Sequence, residues 1–122
     1  MYSIYPSEDK KFIIVKVVGE INGKMAMQQN LEAHALGTEL GINRYLVDVT
    51  EARNTDTILD NYQFAHDDMK ITPGIDLSAR VVTLVSPGDH SHDFMETVAR
   101  NSGLNVKIFT DRDLAENYLR AE

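Results

Sequence analysis

The chain of 122 residues contains no cysteine, which excludes disulfides, thiolate metal sites and thiol nucleophiles together. It has no tryptophan, only three prolines and seven glycines, too few for a disordered tail or a low-complexity linker. Bases are scarce: 12 lysines and arginines stand against 19 acids, a net charge of −7. A chain this acidic binds phosphate poorly, which argues against nucleic acid and anionic membrane surfaces as partners. Long hydrophobic runs are missing as well. The longest apolar stretch, Phe12 to Val18 with Lys16 inside it, is far too short to cross a bilayer, so no membrane insertion is expected. Met1 to Lys11 is polar and lacks the apolar core of a secretory signal, so a cytoplasmic protein is the default expectation. Neither glycine-rich phosphate fingerprint occurs, and there is no G-x-S-x-G elbow. No cofactor and no enzymatic activity are expected.

What is present is a regular alternation of strand and helix patterns. Tyr2 to Tyr5 and Phe12 to Val18 are β-branched and aromatic segments separated by Pro6-Ser7-Glu8-Asp9-Lys10, which predicts an antiparallel hairpin. Met27, Leu31, Ala35 and Leu36 then fall at helical spacing, with Asn22 as cap and Gly37 or Gly41 as stop. Arg44 to Val49 is a short apolar run of the kind found in buried parallel strands. A helix over Ile58, Leu59, Tyr62, Ala65 and Met69 follows, capped by Asp56 or Thr57, then a strand at Arg80 to Val85. A third helix from Ser91 or Asp93, a strand at Asn105 to Phe109 and a last helix capped at Thr110 complete the chain. The order β-β-α-β-α-β-α-β-α, with short connections, predicts one α/β domain over 1–122. Its sheet should be mostly parallel with one antiparallel edge strand.

The densest titratable cluster is Asp89-His90-Ser91-His92-Asp93, after one strand and at the start of a helix. His90 and His92 are weak metal candidates: histidines two apart on a turn diverge, and Ser91, Asp93 and Glu96 are better read as capping chemistry. His34, between Ala33 and Ala35, reads as a surface or boundary residue. Thr55-Asp56-Thr57 opens the second predicted helix, where an added phosphate would meet free N–H groups. Met25, Met27, Tyr62, Phe64 and Met69 carry the adaptable side chains that could line a pocket between the sheet and the second helix. Binding of a small apolar or amphipathic ligand there is the alternative function.

The hairpin, the repeated units and Tyr-Leu-Val-Asp-Val-Thr at 45–50 before an acidic cap resemble the STAS domain, the family of the SpoIIAA-type anti-sigma-factor antagonists. The ending Asn105-Val-Lys-Ile-Phe-Thr-Asp-Arg-Asp-Leu-Ala-Glu-Asn-Tyr-Leu is similar to that of a divergent SpoIIAA-like branch of bacterial proteins. The resemblance implies a (βα)4 superhelical fold and a non-enzymatic regulatory or protein-binding role. Counting on from Asp48, it sets Asp56 and Thr57 on the family's phospho-acceptor Asp-Ser pair. Ile58 and Leu59 replace the hydroxyl residue and glycine that follow there. It also marks an interaction edge around Asp48, Glu51, Asp56, Thr57 and Asp60.

The charge is concentrated in that segment. Asp48 to Asp93 holds nine acids against three bases, a net of −6, and the rest of the chain has a net of −1. A protein partner with a basic surface would complement it. The exposed hairpin edge also leaves room for a homodimer.

Overall fold

A computed structural model of the chain describes residues 1–55, 78–93, 96 and 105–121. The hairpin forms as expected from β1 (Tyr2–Pro6) and β2 (Ile13–Ile21), paired antiparallel. Its turn is organised by Ser7, whose hydroxyl accepts from the Lys11 and Phe12 amides at 3.1 and 3.3 Å and donates to Asp9 at 2.7 Å. Helix α1 (Gly23–Leu40) starts at Asn22, whose side chain accepts from the Met25 amide, and stops at left-handed Gly41. Strands β3 (Arg44–Asn54), β4 (Arg80–Leu84) and β5 (Val106–Phe109) follow, and α2 (Arg112–Arg120) comes last.

The sheet order is β1-β2-β3-β4-β5, with every pair after the first parallel. This is the α/β architecture the alternation predicts. The expected second helix lies outside the described residues, and of the third only Asp93 and Glu96 are described, both helical.

Alternation along the strands sends side chains to two faces. One carries Ile13, Val15, Val17, Tyr45, Val49 and Val85 beneath Ala26, Ala33 and Leu36 of α1. The other carries Ile14, Leu46, Val82 and Leu84, covered by Ala115 and Leu119 of α2. Asp111 caps helix α2 by accepting from the Leu114 amide, and Ala115 and Leu119 are buried against the sheet while Leu114 is exposed. The cap is therefore Asp111, not Thr110; both are capping residue types, and the aspartate is the one whose carboxylate reaches the free amide.

The far end of α2 is held by two arginines that are neighbours in the β3–β4 register. Arg44 donates to the Leu119 and Ala121 carbonyls at 2.5 and 2.8 Å, and Arg80 to those of Tyr118 and Ala121 at 2.9 and 2.5 Å. Like charges side by side are tolerated because each faces carbonyls at the negative end of a helix. Arg120 extends the attachment to the hairpin turn, pairing with Asp9 at 2.8 Å.

On the α1 side, His34 is buried and stacks on Tyr45 with ring centroids 4.5 Å apart, so it is a core residue rather than a boundary one. The stack depends on Gly37. A Cβ there would lie 2.6 Å from the Ile42 carbonyl and overlap the Tyr45 hydroxyl. Gly37→Ala should therefore lose about 2 kcal/mol, although alanine favours a helix interior over glycine by about 1 kcal/mol. Urea unfolding measures this. An unchanged or higher midpoint would show that Tyr45 shifts freely.

Candidate functional site

Lys16 is the one charge inside the apolar run of β2, and the register sets it beside Asp48 of β3. Beyond that point the ladder slips. Lys16 to Val18 is two steps on β2, while their partners Asp48 and Glu51 are three steps apart on β3, so β3 carries one extra residue. A bulge of this kind reverses the facing of the residues after it. Without it, Glu51 would point toward α1; with it, Asp48 and Glu51 share the face that holds Lys16.

Lys16 answers both carboxylates, at 3.2 Å to Asp48 Oδ2 and 2.8 Å to Glu51 Oε2. Asp48 is only 3% exposed and is fully engaged. Its Oδ1 accepts from the Thr50 amide at 3.0 Å and the Thr50 hydroxyl at 2.7 Å, and its Oδ2 faces Arg112 at 3.5 Å. The carboxylate thus supplies the acceptor for the amide that the slipped ladder leaves at Thr50. Arg112, on the first turn of α2, is steered by Glu116 at 2.7 Å, so the helix that covers this face is also tied to the bulge. The Ser86 hydroxyl, after β4, donates to the Thr50 carbonyl at 2.7 Å.

These contacts set the ionisation of the site. Burial alone would raise the Asp48 pKa, but the Thr50 hydroxyl and amide and the Lys16 ammonium outweigh it and hold the carboxyl below its usual range. Lys16 is raised, chiefly by Glu51. The result is a locked, charge-balanced cluster with no free base, acid or nucleophile.

The histidine cluster divides rather than converges. His90 is exposed and meets Asp93 at 2.8 Å. His92 is buried; its Nε2 atom lies 3.7 Å from Asp89 Oδ2 and itself has no hydrogen-bond partner among the described residues. Burial lowers the His92 pKa despite Asp89 and a hydrogen bond to the Ala52 backbone. The Glu96 carboxylate accepts from the Ile108 amide of β5, so it braces the sheet edge. Among the described residues no three histidines or acids stand close enough to hold a metal.

Of the other expected site residues, Glu51 is exposed, Met25 is exposed at the start of α1 and Met27 is half-buried. Asp56, Thr57, Asp60, Tyr62, Phe64 and Met69 lie outside the described residues. The sequence reading missed Lys16, Thr50 and Arg112. Lys16 carried a signal, as a lone charge in an apolar strand; Thr50 and Arg112 carried none, because their role depends on the bulge.

At least two solved structures share this fold. One is the anti-sigma-factor antagonist SpoIIAA in its unphosphorylated form: 10% identity, TM-score 0.59, 100% of each chain covered. Another is an uncharacterised DUF3478-family protein with a SpoIIAA-like fold from Shewanella loihica PV-4. It has 19% identity and a TM-score of 0.51, with 98% of this chain and 92% of that one covered. No protein-family model and no curated protein matches the sequence.

The lowered Asp48 pKa predicts a specific acid response. A carboxyl that ionises more readily when folded contributes stability above its unfolded pKa, about 3.9, and that contribution is lost as pH falls through the folded value. Asp48→Asn should cost about 2 kcal/mol at neutral pH and should flatten the fall of stability below about pH 4. Flattening will be incomplete, because Glu116 is also lowered by Arg112, and Asp9 is lowered to about 2 by Arg120 and Ser7. Chemical denaturation from pH 2 to 7 checks it; parallel wild-type and variant curves would show that Asp48 is not held as its contacts imply.

Proposed function

We propose that this SpoIIAA-like domain is a non-enzymatic, cytoplasmic regulatory module that binds a protein partner at the end of β3. The observation that supports this most is the arrangement at the bulge. Lys16 and Arg112 answer the buried Asp48, and Lys16 also holds Glu51, whose side chain is 61% exposed on the same face of β3. Such an arrangement holds a carboxylate forward without offering reactive groups, which suits recognition rather than catalysis. The fold shared with an anti-sigma-factor antagonist supports the same reading, and among the described residues no helix is long and apolar enough to cross a membrane.

In this reading the interaction edge runs from Glu51 into the acidic stretch that contains Asp56 and Asp60. The partner presents a basic surface. Asp48 contributes from beneath, by fixing Thr50 and Lys16, and does not touch the partner. Thr57 stands at the candidate modification position, but Ile58 and Leu59 remove the small residues that would give a kinase close access, so binding does not depend on phosphorylation.

Affinity capture from native lysate at two salt concentrations tests the proposal. Glu51→Gln should weaken capture of the principal partner about tenfold, or about 1.4 kcal/mol, with only a slightly lower melting temperature, because the ion pair it loses is solvent-exposed on the Glu51 side. High salt should weaken the wild-type complex in the same direction. Equal recovery by both proteins would remove the edge from the interface. Turnover in a broad hydrolase screen would overturn the non-enzymatic reading.

A further inference from the structure

Strand β1 is the outermost strand of the sheet, and no described element pairs with its outer side. Its hydrogen-bond parity follows from the residues that bracket it. The Met1 and Val18 backbones exchange both bonds, at 3.1 and 2.8 Å, and the Ser7 amide donates to the Phe12 carbonyl at 2.9 Å. In an antiparallel pair, bonded positions alternate. Met1, Ser3, Tyr5 and Ser7 therefore turn their backbone groups toward β2. Tyr2 and Ile4 turn theirs outward, and Pro6, the third outward position, has no N–H to offer.

Apart from its shortness and the proline at its end, this edge lacks the usual defences. Edge strands are normally blunted by charges, bulges or a covering segment. Here the sequence Tyr-Ser-Ile-Tyr-Pro is uncharged, and its register with β2 is continuous from Tyr2↔Val17 to Pro6↔Ile13. The exposed large apolar side chains include Met1, Tyr2 and Tyr5, all on or beside this strand. Tyr2 is tied back to Glu32 of α1 by its hydroxyl at 2.5 Å, which leaves its backbone edge clear.

We infer that β1 pairs antiparallel with β1 of a second copy of this chain, about a two-fold axis through Ser3, making one continuous sheet across two protomers. Two registers of the edge with itself make four hydrogen bonds each, and the one centred on Ser3 has the better side-chain pairs. With Ser3 on the axis, Tyr2 of one copy faces Ile4 of the other, and every outward donor and acceptor of both residues is satisfied. With Ile4 on the axis, Tyr2 would face Pro6, and its carbonyl would find no donor. The Ser3 register also pairs an aromatic with a β-branched residue and sets Met1 beside Tyr5, both favourable cross-strand neighbours. A strand this short supports a reversible dimer, and its two-fold symmetry is the commonest kind.

The symmetry supplies the test. Ser3 is exposed, so charge there is compatible with folding, yet the axis would set two copies of that charge directly opposite each other. Sedimentation velocity over a concentration series should show wild type passing from monomer to dimer. Ser3→Glu and Ser3→Lys alone should each weaken dimerisation at least tenfold while melting like wild type, and an equimolar mixture should recover the dimer. Tyr2→Pro, which removes an outward N–H without breaking a bond to β2, should also give a monomer. Wild type that stays monomeric throughout would overturn the proposal. So would variants that dimerise like wild type, or a mixture that stays monomeric.

Discussion

A single buried carboxylate reconciles two requirements that conflict in this sheet. Strand β3 must run on beside β2 to Asn54, yet it carries one residue too many to keep the ladder regular. The extra residue leaves an amide at Thr50 without its usual acceptor, and an orphaned buried amide costs about 1–3 kcal/mol. Asp48 supplies that acceptor from two residues away and is itself answered by Lys16 and Arg112. The bulge, the ion pairs and the seating of α2 are therefore one arrangement. Removing the carboxylate would disturb the strand register, the charge balance and the helix together.

The two faces of the sheet are secured by different means. On the α1 side, packing dominates: small residues of the helix approach the strands, and the missing side chain at Gly37 makes space for the Tyr45 ring against His34. On the α2 side a nine-residue helix covers a shorter apolar patch. It is held by polar groups at both ends, Arg112 at the bulge and Arg44 with Arg80 at the last carbonyls. An isolated helix of that length would be marginal in water, so these end contacts largely determine whether it forms.

Much of the architecture was legible because it depends on local patterns. The hairpin follows from two β-branched runs around a polar turn, and α1 from Asn22 and Gly41, each of which did what its residue type suggests. The cap of α2 was off by one residue because Thr110 and Asp111 are equally good candidates by type. The site was harder to see. Val49-Thr50-Glu51 has no glycine or proline to announce a bulge, so the strand appeared to end where it continues and Glu51 had no assigned face. The burial of His34 also escaped local pattern, since it depends on Tyr45 from another element. Asp48 was identified as notable through a family resemblance, but its lysine and arginine partners come from residues 32 positions earlier and 64 later.

The double arginine clasp has a consequence for the order in which the molecule is made. Arg44 and Arg80 reach their carbonyl partners across 75 and 38 residues of sequence, respectively, for Leu119 and Tyr118. During synthesis the hairpin, α1 and β3 emerge early and can begin to consolidate the first face. Among the described residues, Phe12, Ile14, Leu46 and Val82 have no helix over them until residues 112–120 leave the ribosome. Such late, long-range closure slows folding and prolongs the exposure of apolar surface. The nascent chain thus spends its most vulnerable interval with the patch beneath α2 bare.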